Sequence, residues 1–134
     1  MRTLASLALA IVISATAAVA ADQEPTYKNV DAAAAAKLVA EDTEKKVQIL
    51  DLRTPAEFAE SHLKGAKNID FLGEDFAEKV GALDRDKTYL IHCASGRRST
   101  PAFEKMRELG FESVIHLDGG MAAWKEAGNP VVEE

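Results

Sequence analysis

The sequence predicts an α/β domain built on a mostly parallel central sheet with helices on both faces. Three observations lead there. Short apolar runs alternate with stretches of helical period from residue 27 onward, and that alternation implies parallel strands covered by helices. The 134 residues amount to one domain's worth of chain. No internal repeat and no linker divides it.

Tyr27-Lys28-Asn29-Val30 is a short strand, and Asp31 is placed to cap the helix after it. Ala32, Ala35, Ala36 and Val39 share one face of that helix, whose small residues permit close packing. Val47 to Asp51 reads as a buried strand ending in an acid. Thr54-Pro55 opens a short helix, threonine as cap and proline at the first helical position. Its glutamates lie in the first turns, where the helix dipole favours them. Ala66 to Ile69 is another strand, and Glu74 to Leu83 a helix with Phe76, Val80 and Leu83 on one stripe. Thr88 to His92 is the most strand-like run and delivers the only cysteine, Cys93. A helix carrying Ala102, Phe103, Met106 and Leu109 follows and stops at Gly110. The last strand lies within Phe111 to Leu117, and Asp118-Gly119-Gly120 turns into a short helix carrying Trp124.

Before this domain stands a different kind of segment. Arg2, the apolar stretch Leu4 to Ala18 and the Ala18-Val19-Ala20 exit have the form of a cleaved secretory signal peptide. The alanine-rich run is shorter than the ~20 residues of a spanning helix. The expected division is residues 1–20 as signal peptide and 21–134 as the single domain, exported to a periplasm or outside the cell, with no stable membrane association after cleavage. Acidic side chains outnumber basic ones, 22 to 16. No basic run is long enough to follow a phosphate backbone, which argues against nucleic acid as a partner. A single cysteine has no internal disulfide partner, so in an exported chain it is flagged as reactive.

The cysteine's neighbours point the same way. In α/β sheets, active groups lie beyond the carboxyl ends of strands, and Cys93 sits at such an end. The loop Ala94-Ser95-Gly96-Arg97-Arg98 then leads into a helix. Its backbone N–H groups can turn inward as an anion cradle, with the helix N-terminus adding positive charge. Gly96 supplies freedom to reach positive φ. Ser99 or Thr100 can cap the helix, and Pro101 fits its first turn. Such surroundings lower a cysteine pKa into the range of about 3.5–7.5, and the thiolate is the nucleophile. Ala94, Ser95, Gly96, Arg97, Arg98 and Ser99 are therefore candidates to surround an anionic substrate, the two arginines by charge-assisted hydrogen bonds.

Four segments in order resemble the single-domain rhodanese-like sulfurtransferases. They are Asp51-Leu52-Arg53-Thr54-Pro55-Ala56-Glu57-Phe58, His62-Leu63-Lys64-Gly65-Ala66-Lys67-Asn68-Ile69, the Cys93 to Ser99 loop, and Leu117-Asp118-Gly119-Gly120 with Trp124. The second departs from the family pattern, with Lys64 where proline is usual. The resemblance implies a rhodanese-like fold in which Cys93 accepts a sulfane sulfur from a donor such as thiosulfate and passes it, as a persulfide, to cyanide or a thiol. No cofactor and no metal is expected.

Rival readings are defined by the same residues. Cysteine phosphatases and arsenate reductases of related design place an arginine six positions after the cysteine, where this chain has Ser99. A sulfur carrier would load once and deliver to a partner protein without turnover. Asp51 and Arg53 read as a structural acid–base pair supporting the site, and His62 as an architectural hydrogen bonder. His92, adjacent to Cys93 on a strand, points to the opposite face. His116 lies far off in sequence, and Trp124 is a core anchor. No His, Cys or Asp cluster has metal spacing, and no nucleotide fingerprint or Cys-x-x-Cys motif occurs.

Overall fold

In the computed structural model, which describes residues 24–133, strands and helices alternate throughout. The order is β1 (Thr26–Val30), α1 (Ala32–Glu41), β2 (Val47–Asp51), α2 (Pro55–Glu60), β3 (Lys67–Asn68), α3 (Phe76–Gly81), β4 (Thr88–His92), α4 (Ser99–Glu108), β5 (Ser113–Leu117) and α5 (Gly120–Glu126). The segment read as a signal peptide lies outside the described residues. The sheet runs β1-β5-β4-β2-β3, and each neighbouring pair is parallel. Where a mostly parallel sheet was expected, all five described strands are parallel.

Alternation along β4 divides the core in two. Tyr89 and Ile91, with Cys93 just beyond the strand, pack against Ala102, Phe103 and Met106 of α4 and Val80 of α3. Leu90 packs on the other face with Ala32 and Ala35 of α1 and Met121 and Trp124 of α5. The alanine-rich face of α1 is thus a packing surface, and Trp124 is a core anchor whose Nε1 donates to the Pro130 carbonyl at 2.8 Å. β4 is central, flanked by β2 and β5, so the position after it is held from both sides.

Local chemistry explains the boundaries. Asp31 Oδ1 accepts from the Ala34 amide at 2.8 Å, the cap its position called for. Thr54 and Glu57 form a reciprocal capping box at the start of α2, with Pro55 in the first turn. Two elements are shorter than the sequence suggests. β3 keeps only Lys67 and Asn68, because the Ala66 amide closes a turn onto the Leu63 carbonyl at 3.0 Å. The Asn68 side chain beside it donates to the Asp51 and Arg53 carbonyls at 3.0 and 2.8 Å. α3 begins at Phe76 because Phe76 N closes a tight turn onto Gly73 O, leaving Glu74 outside the helix.

Candidate active site

Cys93 is 1 % exposed and faces α4. The chain after it bends back so that donors converge on the sulfur. The Gly96 amide lies 3.0 Å from Sγ, the Ser99 amide 3.4 Å and the Ser99 hydroxyl oxygen 3.3 Å. Burial alone pushes this thiol up. Hydrogen bonds from the Ser99 hydroxyl and from the Ser99, Gly96 and Ser95 amides more than offset it and hold the thiol below its usual range.

Two features shape the loop. Gly96 has φ of +108°, a conformation that favours glycine. From the other side α5 presses its first turn against the loop: Met121 N donates to Cys93 O at 2.9 Å and Ala122 N to Ala94 O at 3.0 Å. These are helix N–H groups that lack partners within the helix, and they fix the first two carbonyls of the loop. A Cβ on Gly120 would overlap the Cys93 carbonyl oxygen and stand 2.8 Å from that of Ala94. Gly120 is what lets α5 approach this closely.

The start of α4 corrects one expectation. Neither Ser99 nor Thr100 caps the helix through its side chain. Arg98 occupies the cap position without a side-chain bond, and Thr100 Oγ1 donates back to Gly96 O at 2.7 Å. Ser99 is already helical and fully buried, so its hydroxyl turns to the polar partners inside, Cys93 Sγ and His116 Nε2.

The two loop arginines are placed differently. Arg98 is half-buried and makes a two-pronged contact with Glu57, 2.7 Å to Oε1 and 3.1 Å to Oε2. Hydrogen bonding from Arg98 is the main reason the Glu57 carboxyl is lowered to about 2. The Cys93 charge in turn contributes to raising the Arg98 pKa, after the larger effect of Glu57. Arg97 is exposed and pairs with no acid among the described residues. Ala94 and Gly96 are half-buried, and Ser95 is exposed beside them.

Asp51 and Arg53 form a buried ion pair, with Arg53 Nη2 2.7 Å from Asp51 Oδ2 and Nε 3.0 Å from Oδ1. Arg53 also donates to the Ser61 carbonyl at 2.6 Å. His92 lies on this side, its Nε2 3.8 Å from Asp51 Oδ2 and without a hydrogen-bond partner. His62 stacks on Phe58 and donates from Nδ1 to the Phe58 carbonyl at 3.0 Å. Its backbone pairs with Val132. Three contributors escape a reading of the sequence: Glu57 as the partner of Arg98, Gly120 as a contact point for the loop, and His116, which the β5 register brings behind Ser99. Only the alternation of β5, which puts His116 on the same face as Val114, hinted at the last.

A parallel α/β domain with one buried cysteine, hydrogen-bonded in a strand-to-helix loop, is the class of fold and site in hand. The family follows from comparison. Residues 34–127 match the model of the rhodanese-like domain, so the chain belongs to the rhodanese-like family. It is 39 % identical over 83 residues to the thiosulfate sulfurtransferase GlpE of Shewanella oneidensis, across 62 % of this chain and 80 % of that one. It is 36 % identical over 87 residues to an uncharacterized Synechocystis protein, covering 65 % of this chain and spanning about half, 48 %, of that longer protein. Among solved structures, a rhodanese-related protein from Thermoplasma volcanium superposes with a TM-score of 0.70 at 33 % identity, covering 81 % of this chain and all of the other. The fold is rhodanese-like. Among the described residues no helix is long and apolar enough to cross a membrane, and no group of three or more His, Cys, Asp or Glu could hold a metal ion.

Proposed function

We propose that the protein is a sulfurtransferase in which Cys93 carries a sulfane sulfur from an anionic donor such as thiosulfate to cyanide or a thiol. The Cys93 thiolate attacks the outer sulfur of the donor. A Cys93–sulfur bond forms as the donor's sulfur–sulfur bond breaks, and sulfite leaves with the electron pair. The acceptor then takes the outer sulfur, and Cys93 departs as thiolate. Nucleophilic relay of this kind needs an ionised sulfur at rest.

The observation that carries this reading is the convergence of the Gly96 amide, the Ser99 amide and the Ser99 hydroxyl on Sγ within 3.4 Å. The donors address the sulfur itself, and Ser99 stands where a phosphate cradle places its arginine. A cysteine residue with only 1 % exposure suits a small donor with a slender reactive end. Arg97 is assigned to the sulfonate of the donor, while Arg98, already paired with Glu57, acts through its field. Asp51 and Arg53 support the loop's base. We also propose that the protein works outside the cytoplasm, on the strength of the leader-like residues 1–20.

Mass spectrometry after thiosulfate treatment tests the central step. One sulfur atom should be gained on Cys93 and none in Cys93→Ser. No gain from any sulfane donor sinks the reading, and loading without thiocyanate turnover makes the protein a carrier that serves a partner.

A further inference from the structure

Behind Cys93 the Ser99 hydroxyl is shared. Its oxygen stands 3.3 Å from Cys93 Sγ and 2.6 Å from His116 Nε2. The other ring nitrogen, Nδ1, is 2.7 Å from Asn29 Oδ1. Asn29 and His116 are register partners in the β1–β5 ladder, and the Phe103 ring lies 5.7 Å from the imidazole, centre to centre. Ser99 is fully buried and His116 is 4 % exposed. Four separate segments thus supply one polar group each to a continuous chain of contacts.

The hydrogens in that chain can be counted. An amide oxygen only accepts, so Nδ1 of His116 carries the ring proton and Nε2 of the neutral ring is bare. A bare nitrogen only accepts, so the Ser99 hydroxyl hydrogen turns toward it. While Cys93 is a thiol, the lone pairs of Ser99 Oγ are then left facing Sγ, where they can receive the thiol hydrogen; the hydroxyl donates to Sγ once the thiolate has formed.

We propose that Cys93, Ser99, His116 and Asn29 form a proton relay that ionises the thiol before any donor arrives. The Sγ–H bond breaks as a new Oγ–H bond forms, and the original Ser99 hydrogen passes to Nε2. The products are a thiolate that accepts a hydrogen bond from Ser99 and an imidazolium whose Nδ1–H stays on Asn29. Charge and protons balance with no further reactant. Ser99 touches the reacting sulfur; His116 and Asn29 are positioning residues that act through it.

Before the transfer the ring is neutral. Burial holds His116 below its ordinary 6.5, Asp118 beyond β5 pulls it up and His92 of β4 pushes it down. α4 offers it Ser99 and Phe103, while Arg107 of that helix lies over the Tyr27 and Phe103 rings. β1 presents Asn29, and Tyr27 of that strand bonds to the Phe111 carbonyl.

The proposal rests on Cys93 being the reacting thiol, yet its test needs no sulfur transfer. The rate of Cys93 alkylation by iodoacetamide is measured against pH on the full chain, with persulfide loading followed separately. His116→Gln and Ser99→Ala should each slow alkylation near neutral pH by about tenfold, the effect of raising a thiol pKa by one. Because the groups act as a unit, the double variant should be no slower than the slower single one. Ser99→Thr, which keeps the hydroxyl, should retain the fast rate. Asn29→Asp lies on an exposed edge position and puts a carboxylate behind the ring, so it should move the profile to lower pH. Wild-type rates in both His116→Gln and Asn29→Asp, or additive losses in the double variant, would overturn the relay. A relay that behaves as expected in a protein that never loads sulfur would instead overturn the proposed function alone.

Discussion

Arg97 and Arg98 share a loop, but only one carries an acid on its guanidinium. Arg98 is held by Glu57, and Arg97 faces solvent. Losing a charge-assisted hydrogen bond costs about 1.5–3 kcal/mol, so Arg97→Ala should raise the KM for thiosulfate roughly 10- to 100-fold with little change in thermal unfolding. Steady-state kinetics against thiosulfate checks it. Glu57 makes a prediction of opposite kind. Its folded carboxyl lies at about 2 against an ordinary 4.5, so its stabilising effect is complete above pH 4.5 and disappears as pH falls through 2. The pair is partly exposed, which limits the effect to about 0.2–1 kcal/mol. The urea midpoints of wild type and Glu57→Gln should therefore differ at pH 6 and converge near pH 2.

At the scale of elements, α5 holds the loop through its backbone. Met121 N and Ala122 N take the carbonyls of Cys93 and Ala94, and Gly120 leaves no space for a side chain between them. Gly120 also has φ of +59°. Gly120→Ala should then cost about 1–3 kcal/mol from backbone strain alone, visible as a lower Tm, and should raise the Cys93 thiol pKa by tilting the cradle. Most elements could be read beforehand, because a period of two or 3.6 and a capping residue are local signals. Val47–Asp51 and Thr88–His92 are strands over the residues their composition marked. The ends of the edge strand β3 and the start of α3 are not legible in the same way, since turns onto Leu63 and Gly73 compete there. Cys93 could be singled out as the candidate nucleophile as well, from one thiol between a strand and a helix. The Ser99–His116–Asn29 contacts could not be, because a ladder register brings together residues 87 positions apart.

Across the whole molecule, two kinds of polar interior lie on opposite sides of the sheet. Removing one partner of a buried pair strands a charge, so Arg53→Ala should lower stability by about 3–5 kcal/mol, measured by urea unfolding. His92 adds a pH dependence. Burial is the main cause holding it below its ordinary 6.5, against the pull of Asp51. The unfolded chain binds the proton that the folded chain refuses, so stability falls as pH drops below about 6.5. That slope should shrink in His92→Gln, again by urea unfolding from pH 8 to 5.

The Cys93 loop is anchored by three backbone carbonyls, those of Cys93 and Ala94 on α5 and that of Gly96 on the Thr100 hydroxyl, and by the Arg98 side chain on Glu57. None of them depends on the identity of residues 95 or 97, whose side chains are exposed. Those two positions behave as interchangeable inserts in a fixed socket. A library varied there alone should re-aim the protein toward donors of different charge and bulk while leaving the sulfur's own hydrogen-bonded seat intact.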